Sequence, residues 1–237
     1  MPERRDFLLT LSALALADGS ADAGTLYIPD RHAERDRTLL ADFLDEYSFA
    51  MVLSVQGGLR VTNVPTLHHP DASGWGRLWW HLAKNNPQNQ ALDGESECTV
   101  VFHGPHAYIS PNWYQSKNAV PTWNFATVHA TGKPRRLDDD ATAAGLKRLV
   151  DKNEARYGGG SQWSYSQLPE SYLRGMRQGI VAYEMTIETV EAKFKLGHER
   201  SAADQQGVID GLTKQRPTRD ILELTRSYYQ RKSKTTP

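Results

Sequence analysis

The sequence predicts a mainly β protein with added helices, built as an antiparallel barrel. Three observations predict it. Short apolar runs follow one another in hairpin order, as in Phe49 to Val55 and Leu59 to Pro65 around Gly57-Gly58. Val181, Tyr183, Met185 and Ile187 alternate with Ala182, Glu184, Thr186 and Glu188, the period of a half-buried strand. No regular strand–helix alternation runs through the chain, which argues against a doubly wound parallel sheet.

In chain order, Asp36 is placed to cap a helix whose Leu39, Leu40, Phe43, Leu44 and Tyr47 fall at helical spacing. The Gly57-Gly58 hairpin follows, then strands over 77–82 and 97–103. Between those two, Asn85-Asn86-Pro87 reads as a helix start. Residues 122–131 form another strand, closed by Gly132. Asp138 or Asp139 then caps a helix carrying Leu146, Leu149, Val150 and Tyr157 on one face. Gly158-Gly159-Gly160 is a break, and 162–179 reads as irregular or short-helical. An amphipathic helix with Ile221, Leu224, Thr225 and Tyr228 on one side closes the chain over 218–231.

Composition narrows the function classes. The 237 residues carry a formal net charge of zero, so no general electrostatic pull toward nucleic acid or acidic membrane is expected. The single cysteine, Cys98, excludes an intrachain disulfide and sits in an apolar run that favours a buried, inert thiol. No stretch approaches the ~20 apolar residues of a membrane span. The first residues differ from the rest. Arg4-Arg5, an apolar run from Thr10 to Ala17, and Ala21-Asp22-Ala23 supply the basic, apolar and small-x-small parts of an export signal. The arginine pair before Asp6-Phe7-Leu8 resembles a twin-arginine signal, which would carry the folded protein to the periplasm. A cytosolic amphipathic extension is the alternative. The chain thus divides into an extension at 1–24 and one domain at 25–237.

Two stretches carry the chemistry. Residues 102–125 hold prolines, tryptophans, tyrosines and histidines too Pro-broken for a helix interior and too aromatic for an ordinary loop. Such rings suit the wall of a pocket for a planar ligand, or simply complete the core. Leu82-Ala83-Lys84-Asn85-Asn86-Pro87 follows a strand ending in His81 and brings a cation and amides to a helix start. That combination can hold a phosphate, or form a solvated turn. Thr62 and Asn63 can present hydrogen-bonding groups to the same ligand, and Lys193 and Lys195 put further cations at a strand end. Phosphate, planar ligand and barrel wall together point to flavin mononucleotide (FMN), which spacing alone does not single out. His103 and His106 have metal-like spacing, but Gly104-Pro105 forbids the helix that would align them, so no metal is expected. His68 and His69 read as solvated loop residues. Glu184, Glu188 and Glu191 read as the outer face of one strand. No Gly-x-Ser-x-Gly pattern appears, and no residue stands out as a general acid or base.

These motifs also resemble a family. Tyr27-Ile28-Pro29, Gly57-Gly58-Leu59 with Thr62 and Pro65, and His81 to Pro87 occur in order. They are followed by Gly104 to Pro111, Trp113-Tyr114 with Lys117, Val120 to Asn124, and Lys193-Phe194-Lys195-Leu196. Together they resemble the PaiB-type, FMN-binding negative transcriptional regulators, from about residue 26 to the low 210s. The resemblance implies an FMN-binding split β-barrel and a homodimer with FMN near the subunit interface. It implies cofactor contacts at Thr62, His81, Lys84 and Asn85, beside Asn63 from the strand reading, with Trp113, Lys117 and Trp123 flanking the pocket. DNA as a partner rests on the resemblance alone. If the export signal works, a flavin-dependent oxidoreductase acting on a small molecule is the favoured alternative. Where the family continues with Ser-Gln-Asn-Arg, this chain has Gly197-His198-Glu199-Arg200, which leaves a haem-binding variant of the barrel as an outside reading.

Overall fold

The computed structural model describes residues 24–72, 74–160, 163–215 and 219–235. The arginine pair and the apolar run of the expected export signal lie outside the described residues.

Among the described residues nine strands form two antiparallel sheets. The strands are β1 (Phe49–Ser54), β2 (Arg60–Pro65), β3 (Leu67–His69), β4 (Arg77–Ala83), β5 (Cys98–Ile109), β6 (Thr122–Gly132), β7 (Pro134–Arg136), β8 (Ile180–Thr186) and β9 (Thr189–Lys195). A five-stranded sheet has the order β2-β1-β5-β6-β9, and a four-stranded sheet the order β3-β4-β8-β7. The chain passes between sheets at Thr66, through the 84–97 segment, at Lys133 and at Ile187-Glu188. Each crossing lies between consecutive strands, so the sheets curve into one another as a split barrel. The same residues add the α-helices α1 (Arg37–Glu46), α2 (Asp139–Tyr157), α3 (Glu170–Arg177), α4 (Ala202–Gln215) and α5 (Arg219–Thr235).

The core is the space between the sheets. Val52, Val100, Phe102, Val128 and Phe194 from the larger sheet face Leu78, Trp80, Tyr183 and Met185 from the smaller one. Trp80 and Tyr183 stack with centroids 5.8 Å apart. Cys98 lies in this layer beside Met185, and burial pushes its thiol up to about 12, so it is inert at neutral pH. The far face of the smaller sheet is covered by α2, whose Leu149 meets Leu67, Trp79 and Ala182. Gly145 allows that approach, because a Cβ there would overlap the Trp79 indole. Asp138 caps α2 by accepting from Ala141 N–H, and Asp36 caps α1 by accepting from Thr38 and Leu39 N–H. Helices α4 and α5 close one end, bringing Val208, Leu212, Ile221 and Tyr228 onto the core.

Several expectations are corrected. Strand β5 runs six residues past His103, through Gly104-Pro105, because the pairing with β6 shifts between His103 and His106 and the bulge needs no N–H from Pro105. His68 and His69 belong to β3, too short to show a period. His68 is no solvated loop residue: its Nε2 lies 2.9 Å from the Trp75 carbonyl, and burial lowers its pKa. The alternation ending at Glu188 breaks at a crossing, so Glu184, Glu188 and Glu191 lie on β8, the turn and β9 rather than on one strand. Ala182, on the side read as outward, is buried under α2. Tyr157 points to solvent instead of joining the apolar face of α2. Asn86-Pro87 starts a single 3-10 turn over Pro87–Gln90, not an α-helix.

Candidate functional site

The expected site residues fall into two groups. The first lies at the β2 edge of the larger sheet. Thr62 pairs across β1 with Val52 and shares its strand face with Val64 and Arg60. The loop after β4 approaches this edge, and Asn86 Nδ2 donates to Thr62 Oγ1 at 3.0 Å. Lys84 and Asn85 sit in that loop with exposed side chains. The loop is held from below. Asn89 donates to the Ala83 and Lys84 carbonyls at 2.9 and 3.0 Å and accepts from the buried Tyr183 hydroxyl at 2.8 Å. Lys84 N–H donates to Gly179 O at 2.8 Å. Gln88, buried, donates to Val52 O, Ser54 Oγ and Arg60 O and so ties the 3-10 turn to β1 and β2. A one-cation turn therefore becomes a fixed platform.

Arg60 belongs to this group and was not singled out from the sequence. Its Nε is buried without a hydrogen-bond partner. The signal was available, since Arg60 stands two residues before Thr62 and side chains two apart share a strand face. Arg60, Thr62, Lys84 and Asn85 supply two cations, a hydroxyl and an amide, the donor set an FMN phosphate needs. Asn63, by strand alternation, points to the opposite face of the sheet from Thr62. His81 lies on β4 beside Trp79, 5.6 Å between centroids, on the α2 side of the smaller sheet and away from the inter-sheet core. Burial lowers its pKa, and its Nδ1 has no hydrogen-bond partner.

The second group lies at the other end of the sheet. Trp123 pairs with Tyr108 and its indole meets the Tyr108 and His106 rings at 5.9 and 6.0 Å. His103 and His106 meet each other edge-on at 5.2 Å. Lys195 Nζ donates to Thr122 Oγ1 at 2.6 Å beside them. Lys117 is exposed in the preceding loop. Trp113 is covered instead by α4, where Gly207 and Gly211 leave room for it. Among the described residues no group of three or more His, Cys, Asp or Glu is placed to hold a metal ion. His198, the residue of the haem reading, packs edge-on against Tyr228 and His32 at 5.4 and 6.4 Å.

The two groups are far apart within one chain. Thr62 reaches Val100 through Val52, whereas Trp123 reaches Tyr108, eight residues along β5. At ~3.3 Å per strand residue, and with the bulge, that is on the order of 20–25 Å. They also occupy opposite faces of the sheet, Thr62 inward and Trp123 outward. The outward face exposes apolar side chains from β1, β2, β5 and β6: Phe49 is 70% exposed, Val61 50%, Tyr108 45% and Trp123 54%.

Comparison with known proteins agrees with this architecture. The chain is 30% identical over 187 residues to the Bacillus subtilis "Protease synthase and sporulation protein PAI 2", covering 79% of this chain and 89% of that one. Two solved structures share the fold. The FAD and heme binding protein from Mycobacterium smegmatis has a TM-score of 0.52 at 17% identity, over 69% of this chain and 73% of that one. The flavocytochrome Anf3 from Azotobacter vinelandii has a TM-score of 0.51 at 17% identity, over 70% and 74%. Residues 26–189 match the family described as "Putative FMN-binding domain", and with most of the fold inside that match the chain belongs to this family of split-barrel proteins.

Proposed function

We propose that this chain is a redox flavoprotein that binds FMN as a homodimer, each cofactor taking its phosphate cradle from one copy and its aromatic wall from the other. The observation that carries this is the separation just described. One FMN does not reach from Thr62 to Trp123 within a chain, nor through the sheet to its other face. Stacking two copies through the open face of the larger sheet brings the outward residues of one copy to the β2 edge of the other, and because β2 is an edge strand the cofactor reaches Thr62 round that edge, not through the sheet. That face has the exposed apolar area expected of an interface.

In this reading Arg60 and Lys84 neutralise the phosphate, and Thr62 and Asn85 donate hydrogen bonds to its oxygens. Asn86, Gln88 and Asn89 hold the cradle in place. Trp123 and Tyr108 of the second copy cover the planar ring and keep water from it. FMN, when bound, supplies the electron and hydride chemistry; the protein orients it. The neutral net charge gives DNA no electrostatic footprint to recognise, which favours redox work over promoter binding.

The test is an absorption spectrum of the purified chain with its mass in solution. A flavin band co-eluting with a two-chain particle, bleached by NAD(P)H, is the expected result. Failure to hold or take up FMN would overturn the cofactor, and a monomer that retains FMN fully would overturn the shared site.

A further inference from the structure

One feature of the larger sheet lies outside the flavin site. Glu191, on the outward face of β9 opposite His129, is wrapped by the first described residues of the chain. Thr25 donates to its Oε2 from the backbone N–H at 2.9 Å and from Oγ1 at 2.7 Å. Leu26 N–H lies 3.4 Å from Oε1. Thr25 Oγ1 is also 3.0 Å from His129 Nδ1. Gly24 lies directly against the same carboxylate, since a Cβ there would overlap Glu191 Oε1. Three consecutive residues thus surround one carboxylate, Thr25 and Leu26 donating to it. A Cβ at the first of them would require the Glu191 carboxylate to move aside.

The sequence immediately before this cage reads Ala21-Asp22-Ala23, small-x-small, behind an apolar run and a pair of arginines. We propose that the chain is processed between Ala23 and Gly24, and that the freed Gly24 ammonium is received by the Glu191 carboxylate. Water adds across the Ala23–Gly24 amide, leaving a carboxylate on Ala23 and an amine on Gly24 that takes up a proton. A leader-cleaving protease of the export machinery supplies the catalysis. The new charge arises one residue before an N–H that already bonds Glu191, so the ion pair forms without moving β9. Processing then locks residues 24–28 across the sheet edge, where Tyr27 in turn accepts from Lys193 Nζ through its carbonyl at 2.9 Å.

The full chain, expressed with its own N-terminus in a bacterium with twin-arginine export, is recovered from the periplasm and its intact mass measured. A mature chain beginning at Gly24 is expected, and Arg4→Lys with Arg5→Lys should leave residues 1–23 attached. An uncut periplasmic chain, or a cut elsewhere (after Ala17, for example), would overturn the proposal. The pairing is read separately, by comparing Glu191→Gln in the chain beginning at Gly24 and in the uncut chain. The substitution should reduce the folding constant roughly two- to fivefold more in the processed chain, the range of a partly exposed ion pair. It should also return a raised α-amine pKa to about 7.7–8.0, measured by the pH dependence of amine acylation. Equal effects in both chains, with an unshifted amine, would sink the pairing even if the cut is found.

Discussion

Asn86 donates its side-chain amide to Thr62 Oγ1 at 3.0 Å while its own Oδ1 accepts from Gln88 N–H at 2.9 Å. One residue thus caps the 3-10 turn and fastens the loop after β4 to the edge strand β2. The cap alone would satisfy a turn on the surface. The second bond holds the loop that carries Lys84 and Asn85 at the strand that carries Arg60 and Thr62, the arrangement on which the proposed cradle rests.

Lys84→Ala should weaken FMN binding by about 10- to 100-fold, the weight of one charge-assisted hydrogen bond of ~1.5–3 kcal/mol. Lys214→Ala, exposed on α4, should leave it unchanged. Titration of FMN fluorescence against each purified variant decides this. Equal affinities would remove Lys84 from the cradle.

Much of the barrel was legible because its signals are local. Gly57-Gly58 fixes the first hairpin, and the β8 alternation matches its observed inward residues Tyr183 and Met185. Asp36 caps the helix it was expected to cap, and of the two candidates Asp138 and Asp139 it is Asp138 that caps α2. What escaped depends on partners far away in sequence. Three residues of β3 cannot display a period, and β9 is hidden because the strand pattern continues through the crossing at Ile187-Glu188. The site behaves alike. Strand periodicity could have supplied Arg60 and set Asn63 on the opposite face from Thr62, but nothing local says that α4 covers Trp113. Nor does any local pattern show that Thr62 and Trp123 stand at opposite ends of the sheet.

Gly145 is the next test, since glycine inside a helix ordinarily costs ~1 kcal/mol relative to alanine. Here the Trp79 indole fills the place of its side chain. Gly145→Val should therefore destabilise the fold by about 1–3 kcal/mol, the usual cost of overpacking, in spite of removing a glycine. A urea midpoint equal to or above that of the parent would show that α2 and Trp79 separate at little cost.

Acid should weaken the fold starting below about pH 6.5. His32, His68, His81, His129 and His198 all have pKa values lowered from the ordinary 6.5, with burial the leading cause in each. Unfolded chains therefore bind protons first as pH falls, so stability is lost from the unfolded value down through the folded one. Above that window these groups are neutral in both states and contribute no slope. His81 faces no charged partner, and His81→Phe should flatten the urea-midpoint profile between pH 7 and 5. An unchanged slope would mean that His81 is not among the groups responsible.

The proposed sharing of the flavin site makes a prediction that a site within one chain cannot. Lys84→Ala removes a cradle cation, and Trp123→Ala removes an aromatic wall, so each homodimer alone should bind FMN poorly. When the two variants are mixed and allowed to exchange, a mixed dimer carries one site in which both residues are intact: Lys84 from the Trp123 variant and Trp123 from the Lys84 variant. Its other site lacks both. Mixing should therefore restore tight binding at one site per mixed dimer, read by flavin fluorescence against the amount of mixed dimer. If both residues belonged to a site within one chain, each site in the mixture would still lack one of them, and mixing would restore nothing.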